Sequence, residues 1–129
     1  MSELLKIMYV DDEADIRTIV EFALEDEDDF ELKICASGQE ALDTVGDYCP
    51  DFILLDVMMP GMDGPTTLQR LRELPDFSCL PVVFVTAKVQ PHEVAHFKAI
   101  GATDVIAKPF DPMLLPEQVR DIWRSIVHE

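Results

Sequence analysis

Asp11 and Asp12, Asp56, Thr86 and Lys108 stand out in this 129-residue chain because each follows or closes a short apolar run. Three carboxylates brought together repel, and each resists ionising unless something cationic lies among them. A hard divalent ion bound through oxygen meets that demand. With so few protein ligands and a phosphate to share, magnesium fits better than calcium or zinc. Lys108 adds a mobile positive charge and Thr86 a hydroxyl donor. Together these groups form a set for holding a phosphoryl group: metal and ammonium neutralise its oxygens, the hydroxyl fixes one of them, and a carboxylate attacks phosphorus. The plainer readings are an aspartate that merely caps a turn and a lysine in an ordinary salt bridge. The second would hold in any case before phosphate arrives.

The elements that must position these residues follow from the order of apolar runs. Residues 52–55 (FILL) have the pattern of a strand buried on both faces, closed by Asp56 and followed by the turn signals Pro60-Gly61 and Asp63-Gly64. Pro65 suits the first position of a third helix carrying Leu68 and Leu71 and ended by Leu74-Pro75. Upstream, 4–10 reads as a first strand, and Ile16, Ile19, Val20, Ala23 and Leu24 form a continuous helical stripe. Residues 30–36 read as an edge strand, and Ala41, Leu42 and Val45 as a short helix stopped near Gly46. Downstream, 80–85 is a fourth core strand finishing at Thr86. Pro91 opens a helix with Val94, Phe97 and Ile100, ended by Gly101. Residues 104–107 form a fifth strand running into Lys108, and Leu115, Val119, Ile122 and Ile126 line a last helix whose regular part starts near Pro116. The pattern leaves Trp123 open between packing and covering. A fivefold strand–helix alternation implies an α/β fold with a parallel sheet covered on both faces. All strands of such a sheet end on one edge, where open α/β sheets place their chemistry.

Length predicts one domain spanning 1–129, with a single substantial core. Apolar residues make up 48%, which excludes disorder. Ten Lys plus Arg against 26 Asp plus Glu give a net charge of −16, which argues against nucleic acid or an anionic membrane as a direct partner. Part of that charge lies in 25–29 (EDEDD), most simply a solvated turn. No apolar stretch is long enough to span a bilayer, and Met1-Ser2-Glu3 leads straight into the first strand, so no signal peptide is expected. Cys35, Cys49 and Cys79 are too few and scattered for a disulfide framework or zinc site, and read as reduced thiols of a cytoplasmic protein.

The spacing of Asp11-Asp12, Asp56, Thr86-Ala87 and Lys108-Pro109-Phe110 closely resembles the receiver domain of bacterial two-component response regulators. The stretches 56–64 (DVMMPGMDG) and 101–110 (GATDVIAKPF) look like its signatures, and the likeness covers nearly the whole chain. It implies a flavodoxin-like sheet with strand order 2-1-3-4-5. It also implies that Asp56 accepts a phosphoryl group from the phosphohistidine of a sensor histidine kinase or phosphotransfer protein. In that reading the chain is a phosphoacceptor regulator rather than an enzyme, capable only of its own phosphorylation and slow dephosphorylation. Asp12 and Asp56 would ligate Mg2+ through their side chains, Asp11 largely through water, and Met58 through its backbone carbonyl. Thr86 and Lys108 would bond the phosphoryl group, and Lys108-Pro109 would be cis. Output would pass to a downstream protein or a fused output domain. The resemblance also admits a weak homodimer through the face of the fourth helix, fifth strand and last helix.

Two features depart from the family pattern. Where many members carry a Tyr or Phe that turns inward when the threonine engages phosphate, this chain has Val105. The positions two residues after Asp56 and after Thr86, which tune phosphoryl lifetime, are Met58 and Lys88, and neither positions an attacking water. Met58 also stands where a haloacid-dehalogenase-type phosphatase needs its second acid, which weighs against that alternative. A receiver-like binding module that works without phosphorylation remains the other reading. The intact acids weigh against it, and Val105 slightly for it.

Overall fold

β3 (Phe52–Asp56) is buried along its whole length, as four apolar residues closed by one carboxylate require when helices cover both faces of a sheet. The remaining strands are β1 (Leu5–Val10), β2 (Phe30–Cys35), β4 (Val82–Thr86) and β5 (Asp104–Ala107). In this computed structural model, which describes residues 4–127, they form one parallel sheet ordered β2-β1-β3-β4-β5. Five helices alternate with them: α1 (Ala14–Leu24), α2 (Gly38–Tyr48), α3 (Gly64–Arg72), α4 (Pro91–Ala99) and α5 (Leu115–Val127). This is the flavodoxin-like architecture that the alternation and the resemblance imply. Met1 to Glu3, read above as leading into the first strand, and His128-Glu129 lie outside the described residues.

Strand parity divides the core into two layers. Ile7, Tyr9, Phe52, Leu54, Val83 and Val85 face α1 and α5, meeting Val20, Leu24, Leu115 and Val119. Met8, Val10, Ile53, Leu55 and Phe84 face the other way, against Ala41 and Val45 of α2, Leu68 and Leu71 of α3, and Phe97 of α4. Each fully buried large side chain contributes roughly 1.5–3 kcal/mol. Trp123 packs rather than covers: its ring stacks on Phe52 with centroids 5.8 Å apart.

Several boundaries differ from expectation. α2 runs through Gly46 to Tyr48 and is closed instead by Cys49 in the left-handed region, at φ 53°. Tyr48 holds that last turn, its hydroxyl donating to the Glu31 carbonyl at 3.0 Å. α5 begins one residue earlier than expected, at Leu115, and Pro116 sits in the first turn, where its absent N–H costs nothing. α4 buries only Phe97 of its expected stripe, and Ile100 is 39% exposed, because this helix lies over the β5 edge, where little sheet remains to cover. The acidic run is not simply solvated. Glu27 and Asp29 both accept hydrogen bonds from Arg120 of α5, whose guanidinium lies 4.8 Å over the Phe30 ring, tying α5 to the α1–β2 turn.

Candidate functional site

Register brings the acids together. Val10 pairs with Leu55, so one step further Asp11 lies beside Asp56; Asp56 pairs with Val85, and Thr86 with Ala107 just before Lys108. Parity then sorts their side chains. Tyr9 and Asp11, Leu54 and Asp56, and Ile106 and Lys108 occupy alternate positions on the α1/α5 face. Thr86 has the parity of Val82 and Phe84, on the opposite face. The Lys108 ammonium accordingly reaches Asp11 at 3.0 Å and Asp56 at 3.2 Å, with Glu13 at 3.8 Å. The Thr86 hydroxyl instead accepts the Lys88 backbone N–H at 3.1 Å.

Asp11 is wholly buried. Its Oδ2 takes hydrogen bonds from the Tyr9 hydroxyl at 2.7 Å and from Lys108, and its Oδ1 takes one from the Glu13 backbone N–H at 3.0 Å. Arg17 donates to the Asp11 carbonyl at 2.9 Å, fixing the start of α1 against the strand end. Asp12 is exposed, while Asp56 is buried at 4%. One carboxylate oxygen from each of Asp11, Asp12 and Asp56 lies within 4.8 Å of the others, an all-oxygen anionic set open to solvent on the Asp12 side.

The electrostatics follow from this crowding. Burial, then the charge of Asp11, pushes the Asp56 carboxyl up to about 6, although Lys108 pulls it down. Burial opposes the charge of Lys108, yet the hydrogen bonds and charges of Asp11 and Asp56 outweigh it and hold its pKa above the ordinary lysine value. Burial and the adjacent Asp11 raise the Tyr9 phenol well above its usual range, so it stays a donor at any physiological pH.

The loop after β3 is shaped by Gly64. A Cβ there would lie 2.6 Å from the Asp56 carbonyl oxygen and 2.8 Å from the Val57 Cα, so only glycine lets α3 start against the strand end. Asp63, expected only to form a turn, caps α3 by accepting the Thr66 N–H at 2.9 Å. A hollow of about 210 Å³ opens over Asp56, lined also by Glu13, Met58, Thr86, Ala87, Lys88 and Lys108. Lys108-Pro109 is cis, as the resemblance implies.

The residues singled out from sequence thus meet, but in two groups. Asp11, Asp12 and Asp56 cluster together and Lys108 reaches Asp11 and Asp56, while Thr86 joins Met58 and Lys88 on the far wall. Tyr9, Glu13 and the close approach of Gly64 escaped the sequence reading. Tyr9 carried a usable signal: a tyrosine in a buried strand needs a partner for its hydroxyl, and its neighbour two positions on, on the same face, is Asp11.

Comparison with known proteins agrees with this geometry. The sequence model of the response regulator receiver domain matches residues 7–120. The chain is 38% identical over 122 residues to the response regulator Rre1 of Synechocystis sp., covering 95% of this chain and 53% of that protein. It is 34% identical over 121 residues to the phosphate regulon transcriptional regulatory protein PhoB of Rhizobium meliloti, covering 94% and 53%. The structure of the Vibrio cholerae chemotaxis protein CheY4 superposes with a TM-score of 0.84 at 31% identity, covering 92% of this chain and 98% of that one. The chain spans about half the length of these two curated relatives. With the family's motifs on the strand ends that its fold requires, the chain belongs to the response regulator receiver domain family.

Proposed function

We propose that residues 1–129 form one receiver unit of a two-component phosphorelay in which Asp56 is the phosphoacceptor. The observation that carries this reading is Asp56 itself: a buried carboxylate 3.2 Å from the Lys108 ammonium, at the floor of a hollow also lined by Thr86. The donor is the phosphohistidine of a sensor histidine kinase or phosphotransfer protein. An Asp56 oxygen bonds to phosphorus as the P–N bond breaks, and the electron pair of that bond leaves with the donor imidazole. Lys108 moves from its carboxylate partners to a phosphoryl oxygen. Thr86 turns its hydroxyl proton to another. Met58 and Lys88, flanking the hollow, offer no group that orients a hydrolytic water, so self-dephosphorylation is slow.

The oxygen donor set fits magnesium: Asp12 and Asp56 through their side chains, the Met58 backbone carbonyl, and Asp11 largely through water. The raised pKa of Asp56 reports an unmet demand for positive charge at this spot. Magnesium, when bound, neutralises phosphoryl oxygens. Its binding to the native state alone raises the melting temperature, and Asp12→Ala abolishes most of that gain. Asp63→Ala lowers the baseline by removing a helix cap, at about 1 kcal/mol, but keeps the gain.

Output passes to a downstream protein or to a fused output domain, as the half-length match to its curated relatives suggests. A weak homodimer through α4, β5 and α5 belongs to the same reading, as does a cytoplasmic location. The net charge of −16 favours protein over nucleic acid as the contact. No helix among the described residues is long and apolar enough to cross a membrane. The test is incubation with a small phosphodonor and magnesium, followed by mass measurement. One acid-stable, base-labile phosphoryl group is expected on the wild type and none on Asp56→Asn. Labelling that persists in Asp56→Asn overturns the assignment. Absence of labelling in the wild type favours the phosphorylation-independent binding module, the reading to which Val105 lends some weight.

A further inference from the structure

The sequence His92-Glu93-Val94-Ala95-His96 lies on α4, away from the acidic cluster. Side chains four apart on a helix share a face one turn apart, a spacing at which two imidazoles can chelate a single ion. Both histidines are exposed, and both line one hollow of about 340 Å³ together with Met58, Lys88, Glu93 and Phe97. The His96 ring rests against Phe97, with centroids 6.0 Å apart, and Phe97 is anchored in the core. The pattern resembles that of zinc hydrolases, but its glutamate is committed elsewhere: Glu93 Oε1 accepts the Gln90 N–H at 3.1 Å and closes the start of the helix. The two imidazoles therefore remain as ligands without the hydrolytic base. Imidazole nitrogen selects zinc, nickel and copper over the magnesium that carboxylate oxygens prefer. Lys88 opposes a divalent charge in the hollow, and Glu93 offsets it.

We propose that His92 and His96 form a two-imidazole site for a divalent ion of the zinc, nickel and copper class, with water completing the coordination. Met58 and Lys88, two residues beyond Asp56 and Thr86, line the same hollow. Ion binding thus braces the first turns of α4 and sets a divalent charge beside Lys88, in a hollow shared with the loops that border the phosphoacceptor. This coupling rests on the reading of Asp56 as phosphoacceptor; the ion site does not. Any effect of the ion on phosphoryl-state stability is matched by an equal effect of phosphorylation on ion affinity.

Zn2+ titrated into the whole chain, with excess magnesium saturating the carboxylates, tests the site through the imidazole nitrogen NMR signals. The ring signals of His92 and His96 should shift together and saturate at one ion per chain, with His128 as internal reference. His92→Ala and His96→Ala should each weaken the affinity at least tenfold. Unchanged affinity in both variants, or equal shifts at all three histidines, overturns the proposal and assigns the ion to the carboxylates or the thiols. For the coupling, Zn2+ should change the phosphodonor labelling rate of the wild type but not of His96→Ala. Equal rates in the wild type with and without Zn2+ overturn the coupling. A chain that binds Zn2+ through both imidazoles yet never labels refutes the phosphoacceptor reading and leaves the site standing.

Discussion

The two walls of the cleft over Asp56 are built differently. On the α1/α5 side, Asp11 is wholly buried, holds Tyr9, Lys108 and the Glu13 N–H at 2.7–3.0 Å, and places Lys108 against Asp56. On the α4 side, Thr86 accepts a single N–H from Lys88, while Met58 is 68% exposed and Lys88 is exposed as well. The first wall is a closed network in which each group fixes the next. The second has room to rearrange. A receiver signals by a shift between two conformations, and phosphate biases that shift only through contacts that differ between them. On the phosphoacceptor reading proposed above, the networked wall would hold Asp56 ready and the loose wall would be the part that responds.

The floor shared by both walls should be the most sensitive to substitution. Gly64→Ala forces a Cβ into the backbone of Asp56 and Val57, for which overpacking costs of about 3 kcal/mol are expected, together with loss of labelling. Denaturant unfolding measures the first and phosphodonor labelling the second. Wild-type stability in Gly64→Ala would mean that the strand end yields, and that neither wall is as fixed as described.

Next in size is the cost of ionising Asp56 in the networked wall, set first by its burial and then by the charge of Asp11. The folded-state pKa of Asp56 lies near 6, above the unfolded value near 4. The native state therefore binds more protons between these values, and stability falls as pH rises through that window. Asp56→Asn removes the ionising group. The variant should match the wild type near pH 4 and exceed it by on the order of 2 kcal/mol above pH 6.5, in the absence of divalent ions. A stability difference that does not change with pH would show that neither burial nor Asp11 burdens the Asp56 charge.

Tyr9→Phe tests the network more gently. It leaves Asp11 one donor short in a buried site, at a cost of about 1 kcal/mol, and should weaken the magnesium-induced rise in melting temperature without abolishing labelling. A full magnesium response in Tyr9→Phe would reduce the phenol to filler.

The loose wall should show a modest ground-state effect. Thr86→Ala should cost about 1 kcal/mol, for one weak hydrogen bond and one buried methyl, yet blunt the response to phosphorylation. Hydrogen exchange with a phosphoryl mimic should change from Lys88 to Glu93 and little at Val105, which is β-branched, stiff at χ1 and too short to swing inward. A dominant change at Val105 would reverse the roles assigned to the two regions. Val105→Tyr, restoring a ring, should alter that coupling without altering phosphorylation.

Much of this was legible from residues alone. Four consecutive apolar residues ending in Asp56 must be a strand buried on both faces, and strand–helix alternation must put Asp11, Asp12, Asp56, Thr86 and Lys108 on one edge. These are local rules, and short-range sterics and burial enforce them. The boundaries that failed are those where distant contact overrode local propensity: Gly46 does not end α2, because Tyr48 is held by Glu31, and Ile100 lies exposed just past α4, which runs along the last strand of the sheet. The partition of the site into a networked and a loose wall was decided only in three dimensions. It depends on parity and register across four strands at once, which place the Lys108 ammonium between two carboxylates from the ends of β1 and β3 and turn Thr86 to the other side.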